Sequence, residues 1–454
     1  MPRHAGISQT ITAAITAAIT AALIGTFAVP AFAARPPSQF GVDAPQLARL
    51  GPHAVGFEKI TLVDPAQVDV LAYDPATHTA PKRDRRLVVD VWYPAVAEAH
   101  APRVVYHAAF PSEPPAPPAQ FTIPGIAVRN APFSGSNYPL VVVSHGYSNM
   151  PVAMSWITEN LASKGYVVAA IEHEDPPITD LTKFAAPIMR RPLDIAFVAA
   201  TLQHTLAAKH WIDPRRTALL GYSMGGYGVL TAAGAVLDPA SALAKAVPGN
   251  LLAPYCRGGA RQGAVKVRHL RAVVAISPAG GRPLDAWGHH GLAGIKVPLF
   301  MINGNRDHTV GYRYAARRFF DEAVNAHRYL LTLEEAGHDI GLDPAPAQMR
   351  GSLWNEGWFQ DPVWSTERVN AINAHFITAF FDRYVKGEKS RGAYLNVPVV
   401  HSDRGVWPTS HPAPYDAYSP GTGGITVWKG FQKPYSVGLE LRQARAGQAG
   451  SKRH

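Results

Sequence analysis

A serine hydroxyl, an imidazole and a carboxylate can together carry out acyl transfer, and this chain presents all three in an order that would allow it. Gly221-Tyr222-Ser223-Met224-Gly225 sets a serine between two glycines. Before it, Arg216-Thr217-Ala218-Leu219-Leu220 reads as a buried strand. After it, Gly226-Tyr227-Gly228-Val229-Leu230-Thr231-Ala232-Ala233 reads as a helix of small apolar residues packed closely on a sheet. A strand, a tight turn and a helix with serine at the apex would lift the hydroxyl clear of the sheet. Glycine on both sides leaves room where a Cβ would meet neighbouring backbone.

Such a hydroxyl needs a base to take its proton, and the base needs a carboxylate to fix its tautomer and stabilise its cationic form. After the apolar run Leu299-Phe300-Met301-Ile302 comes Asn303-Gly304-Asn305-Arg306-Asp307, which puts Asp307 in a polar loop at a strand end. After Leu330-Leu331-Thr332-Leu333 comes Glu334-Glu335-Ala336-Gly337-His338, which puts His338 in the equivalent place one strand later. Of 19 histidines, His338 is the one whose position suits a base. Asp285 and Asp339 compete for the role of the acid. Asp339 adjoins His338, and neighbours in an extended turn rarely face each other.

The tetrahedral intermediate of acyl transfer needs backbone donors for its oxyanion. The Met224 N–H, first in the helix after Ser223, is one candidate, aided by the helix N-terminus. The second is the Tyr147 N–H, in the loop Ser144-His145-Gly146-Tyr147-Ser148 that follows an earlier strand; the alternative for His145-Gly146 is an ordinary strand-end turn. Glu172-His173-Glu174-Asp175 has metal-ligand residue types, but consecutive residues cannot all face one ion and no His/Glu pair at helical spacing supports them. No metal and no cofactor are expected.

These loops need a scaffold. Leu87–Tyr93, Pro139–Ser144, Tyr166–Ile171, Ala272–Ile276, Val297–Ile302 and Arg328–Leu333 read as strands. Continuous apolar runs of this kind are buried on both faces of a parallel sheet. Helices are expected over about 152–164, 192–208, 312–324 and 366–384, besides the one after Ser223. Strands alternating with helices predict an α/β fold, a mostly parallel sheet covered on both faces. Inserts interrupt the series at about 108–138, 237–268 and 340–365. The first, rich in proline, reads as a long connection or flap. The last carries Trp354, Trp358, Phe359 and Trp364. Apolar walls from the second and third would suit hydrophobic acyl or aryl groups.

Residues 1–33 read as a secretory leader: Arg3 and His4, an apolar stretch from Ile7 to Val29, then Ala31-Phe32-Ala33 as a cleavage site. A single domain would then occupy 34–440, with 441–454 a basic disordered tail. An exported chain could form disulfides, yet Cys256 is the sole cysteine, so no intrachain bridge is possible. With 47% hydrophobic and 17% charged residues the chain can bury a proper core. Its net charge of +10 is spread out and not interleaved with aromatic residues, which argues against nucleic-acid binding. No stable membrane insertion is expected once the leader is removed, and the sequence does not specify an oligomeric state.

Asp90-Val91-Trp92-Tyr93-Pro94, Val143-Ser144-His145-Gly146, Gly165–His173 and Gly221–Gly226 resemble motifs of the dienelactone-hydrolase and plasma-type platelet-activating-factor acetylhydrolase group. The likeness covers roughly residues 55–385 and implies an α/β-hydrolase fold and a secreted carboxylic-ester hydrolase. The acetylhydrolases carry their acid just after the strand that follows the serine helix, where this chain has Ala275-Ile276-Ser277-Pro278. Asp307 is instead placed as in dienelactone hydrolases and cutinase-like polyesterases, to which the serine turn and the aromatic after Gly146 are also similar. Dienelactone hydrolase itself uses a cysteine nucleophile, which Ser223 argues against here. The reading is an exported serine esterase acting on a small-molecule, lipid or polymer ester through Ser223, His338 and Asp307, with Tyr147 and Met224 as oxyanion donors. A thioesterase, amidase or acyltransferase on the same residues is the first alternative, and a non-catalytic exported binding protein the second.

Overall fold

The parallel register of six strands determines where everything else lies. The computed structural model describes residues 35–407, 424–432 and 435–449. Its strands are β1 (Ala54–Val68), β2 (Lys82–Ala95), β3 (Val105–Phe110), β4 (Ala119–Pro124), β5 (Val128–Arg129), β6 (Tyr138–Ser144), β7 (Val167–Glu172), β8 (Ile212–Tyr222), β9 (Leu270–Ile276), β10 (Leu299–Gly304), β11 (Arg328–Leu333) and β12 (Leu439–Ala444). The helices are α1 (Ser155–Ser163), α2 (Ala185–Ala208), α3 (Met224–Ala232), α4 (Ala242–Lys245), α5 (Arg317–Glu322), α6 (Leu353–Gly357), α7 (Thr366–Phe381) and α8 (Gly392–Leu395). Ten strands form one sheet in the order β12-β11-β10-β9-β8-β6-β7-β2-β1-β5, and β3 and β4 form a separate hairpin. From β7 across to β11 neighbours run parallel; β1 and β2 on one side and β12 on the other join antiparallel.

The apolar runs alternate between two cores, as a pleated sheet covered on both faces requires. Val141 and Val143 of β6, Ala218 and Leu220 of β8, and Phe300 and Ile302 of β10 pack on one face with α1 and α7. Leu140, Val142, Leu219, Leu299 and Met301 point the other way, into a core shared with α2, α3 and α5. The strand order reverses at β6, which lies between β7 and β8. In open α/β sheets the crevice at the carboxyl ends of the strands flanking such a reversal is where ligands bind.

Four expectations need correction. The segment 108–138 is not a featureless flap, because Tyr106, Phe110, Phe121 and Ile123 alternate inward and close the β3–β4 hairpin over the α1 core. Helix α2 begins at Ala185, not at Pro192, which lies inside it. Proline removes the N–H that would bond the carbonyl four residues earlier, here Ile188, and that carbonyl instead accepts the Tyr227 hydroxyl of α3 at 3.0 Å. The tail expected from 441 is ordered through 449: β12 pairs along all of β11, with Leu439 and Leu441 buried. The insert at 237–268 packs on the α2–α3 side, where Leu237, Leu243, Leu252, Tyr255 and Cys256 join the core. The proposed leader, residues 1–33, lies outside the described residues. Among the described residues, no helix is long and apolar enough to cross a membrane.

Candidate active site

Strand pairing brings the loops together before any side chain is considered. Ser144, the last residue of β6, is in register with Gly221, and Tyr222 with Ile276. Ile302 is in register with Ile276, and Gly304 with Leu333. The loops after β6, β8, β10 and β11 therefore leave one edge of the sheet side by side, carrying Tyr147, Ser223, Asp307 and His338.

The turn between β8 and α3 holds Ser223 at φ 53°, ψ −115°. This is a region that side-chain-bearing residues occupy only when surrounding structure enforces it. The enforcement is visible. The Ser223 N–H donates to Ile276 O at 2.9 Å, while Ser223 O accepts from Ala279 and Tyr227 at 3.0 and 3.2 Å. A Cβ on Gly221 would stand 2.3 Å from Gly225 O, and one on Gly225 only 1.9 Å from Ser144 O. Both glycines are thus required by backbone packed against backbone.

His338 joins the serine to the acid. Its Nδ1 donates to Asp307 Oδ2 at 2.9 Å, and its Nε2 accepts from Ser223 Oγ at 3.0 Å. The other Asp307 oxygen accepts the amides of Thr309 and Val310, both at 3.0 Å, and Asn303 Nδ2 approaches Oδ2 at 3.3 Å. Burial opposes the charge on Asp307, yet the hydrogen bond and attraction from His338, with the two amides, hold its pKa below the usual carboxylate value. Burial likewise opposes a charged His338, and the bond and charge of Asp307 outweigh it, with Asp339 adding, so this pKa is raised. Asp285 is elsewhere, paired with Arg318. Asp339 accepts from the Tyr222 hydroxyl at 3.3 Å rather than from the imidazole, and burial pushes its pKa up to about 6.

Several supports were not evident from sequence. Ser277 Oγ donates to His338 O at 3.2 Å, and the Tyr222 ring lies 5.4 Å from the imidazole, tilted by 31°. Asp361, in the third insert, accepts the Gly337 amide at 2.6 Å and those of Val363 and Trp364 through its other oxygen. It ties the loop carrying His338 to the aromatic insert. An acidic residue that far downstream has no local pattern to mark it.

The cleft above Ser223 has a volume of about 600 Å³. Tyr147, Ile178, Leu181 and Phe184 line it, with Met224, Leu284 and Val310, and Trp354 and Trp358 of the third insert. Phe184 meets Tyr147 edge to face, and Trp354 meets Trp358 likewise. Ser352 caps α6 by accepting the Asn355 amide at 3.2 Å, and the Trp354 indole N–H donates to Pro111 O at 3.1 Å. The third insert therefore walls the cleft as expected. The second contributes no lining residue; the segment before α2 takes its place. Among the described residues, no group of three or more histidine, cysteine or acidic side chains is arranged to hold a metal ion.

Parallel sheet, serine at a strained turn after β8, and acid and imidazole on the next loops across define an α/β-hydrolase fold. Comparison with known proteins reaches part of the chain. A family model described as PETase, PET hydrolase-like, matches residues 130–255, which hold the Tyr147 loop and the serine turn but neither Asp307 nor His338. Cutinase est2 of Thermobifida alba is 31% identical over 99 residues, 22% of this chain and 31% of that protein. Cutinase 2 of Thermobifida cellulosilytica is also 31% identical over 99 residues, 22% of this chain and 36% of the relative. The chain thus spans about a third of the length of the curated relatives it matches. A solved ferulic acid esterase from Streptomyces cinnamoneus aligns at 20% identity and a TM-score of 0.47, covering 74% of this chain and 91% of that one.

Proposed function

We propose that the protein is a serine hydrolase that cleaves carboxylic esters in two steps through an acyl-enzyme. The observation that carries this reading is the unbroken hydrogen-bond chain Ser223–His338–Asp307 at the floor of an apolar cleft. Ser223 Oγ attacks the ester carbonyl carbon while His338 Nε2 takes its proton. The same nitrogen then returns that proton to the departing alkoxide. A water, deprotonated by His338, attacks the acyl carbonyl carbon, and His338 passes that proton to Ser223 Oγ as the acyl–oxygen bond breaks, releasing the acid and free Ser223. Asp307 keeps Nδ1 protonated and stabilises the imidazolium, and the Tyr147 and Met224 amides receive the oxyanion. The cutinase-like matches and the aromatic walls favour esters with a bulky apolar acyl or aryl part. The resemblance of Gly165–His173 and Gly221–Gly226 to motifs of the dienelactone-hydrolase and acetylhydrolase group, and the leader-like residues 1–33, support an exported enzyme.

The test is direct. Ser223→Ala should lower kcat on a nitrophenyl ester by about six orders of magnitude, and a fluorophosphonate should form its adduct on Ser223 of the unaltered protein. A Ser223→Ala protein that keeps its turnover would refute the proposal.

A further inference from the structure

The loop that supplies Tyr147 does not hold itself in place; a buried guanidinium does. Arg191 of α2 is entirely inaccessible to solvent. Its Nη1 donates to His145 O, and to Ser144 Oγ at 3.1 Å. Its Nη2 donates to Gly146 O at 2.9 Å and to Asp175 Oδ2. The same Asp175 oxygen accepts the Ser148 N–H at 3.1 Å. Arg191 and Asp175 thus grip the backbone on both sides of Tyr147, two carbonyls before it and one amide after it.

A peptide unit is planar, and in the trans form its C=O and N–H point in opposite directions. Gly146 C=O and Tyr147 N–H belong to one such unit. Anchoring the Gly146 oxygen on Arg191, with His145 Nδ1–H donating to it as well at 2.7 Å, sets the direction in which the Tyr147 N–H points. Resting on the oxyanion role proposed for that amide, we propose that Arg191 is a positioning residue: it holds the Gly146–Tyr147 peptide so that its N–H is aimed at the oxyanion before substrate arrives. Arginine suits the task because its planar fork reaches two carbonyls and a carboxylate at once, which the single ammonium of lysine cannot do. The guanidinium stays behind the loop and touches no substrate. Its effect should therefore fall on the transition state, where the donor matters, and not on substrate binding.

The test compares Arg191→Lys and Arg191→Met with the unaltered enzyme, with turnover expressed per site titrated by fluorophosphonate. That normalisation counts only folded, competent molecules, so a role confined to folding would leave the ratio unchanged. The expected result is a kcat per site about a hundredfold lower in Arg191→Lys, the scale for loss of one oxyanion donor, with KM within threefold. If Arg191→Met does not fold, Arg191→Lys, which keeps a cation beside Asp175, decides alone. A kcat per site reduced less than tenfold, or a loss expressed mainly in KM, overturns the inference. An inactive Ser223→Ala beside a fully active Arg191→Lys removes this inference alone, whereas an active Ser223→Ala removes the reading beneath it.

Discussion

The described residues contain two Ser–His–Asp hydrogen-bond chains, and the contrast between them shows what such a chain needs in order to react. In the cleft, Ser223 Oγ, His338 and Asp307 are linked at 3.0 and 2.9 Å. Behind the Tyr147 loop, Ser144 Oγ, His173 and Asp194 are linked at 2.9 and 2.8 Å, through the same two imidazole nitrogens. Distances alone do not tell them apart; surroundings do. Asp307 receives only neutral donors besides the imidazole, so its charge is available to a protonated His338. Asp194 already binds Arg85 through both oxygens, at 2.7 and 2.8 Å. Burial, with Arg191 close by, holds the pKa of His173 well below the ordinary value, whereas that of His338 is raised. Ser223 opens on the cleft, and Ser144 is wholly buried. The inner chain behaves as a satisfied core network; the outer one has unspent charge and access.

Disabling the acid of the outer chain should have the largest effect. Asp307→Asn is expected to lower kcat about ten-thousandfold through loss of the correct tautomer and of imidazolium stabilisation. Deleting the inner hydroxyl by Ser144→Ala should cost less than about tenfold and leave fluorophosphonate labelling in place; a comparable loss in both variants would erase the distinction. Next in size is the charge that quiets the inner chain. Arg85→Met leaves Asp194 buried without its cation, a loss of about 3–5 kcal/mol for a broken buried pair, read as a lower urea midpoint with little change in KM. A shift in pH dependence is the smallest effect. The proposed mechanism requires neutral His338 as base, so kcat/KM should fall as pH drops through its pKa. Because that pKa is raised above the ordinary 6.5, the acid limb should have its midpoint above pH 6.5. Asp307→Asn removes the larger of the groups that raise it, leaving Asp339 and the burial that lowers it, so the residual activity should have its midpoint at lower pH. A midpoint unmoved by that change would mean that another group controls the limb.

How much of this could be read in advance depended on whether the controlling interaction was local. Ser223, His338 and Asp307 each follow a continuous apolar run, so strand order alone put them on neighbouring loops. The inner chain had no such signal: Ser144 ends β6, His173 follows β7 and Asp194 sits within α2, and only the packing of α2 against β6 and β7 brings them together. Glu172–Asp175 looked like a metal motif that failed, whereas in the structure Asp175 serves the loop through Arg191. Proline misled at α2, since its effect on a helix depends on whether another donor claims the freed carbonyl, and Tyr227 is 39 residues away. The tail misled by composition. Its basic, small residues hide Leu441, whose burial depends on β11 standing beside it.

That proline has a further consequence for tolerance to motion. Helix α2 touches helix α3, which follows Ser223, through Ile188 O and the Tyr147 loop through Arg191. These contacts are three residues apart and so lie on one face. One helix thus serves as a common datum for the segments bearing the two proposed oxyanion donors. A shift of α2 is expected to carry both segments with it and to leave the gap between the Tyr147 and Met224 amides little changed.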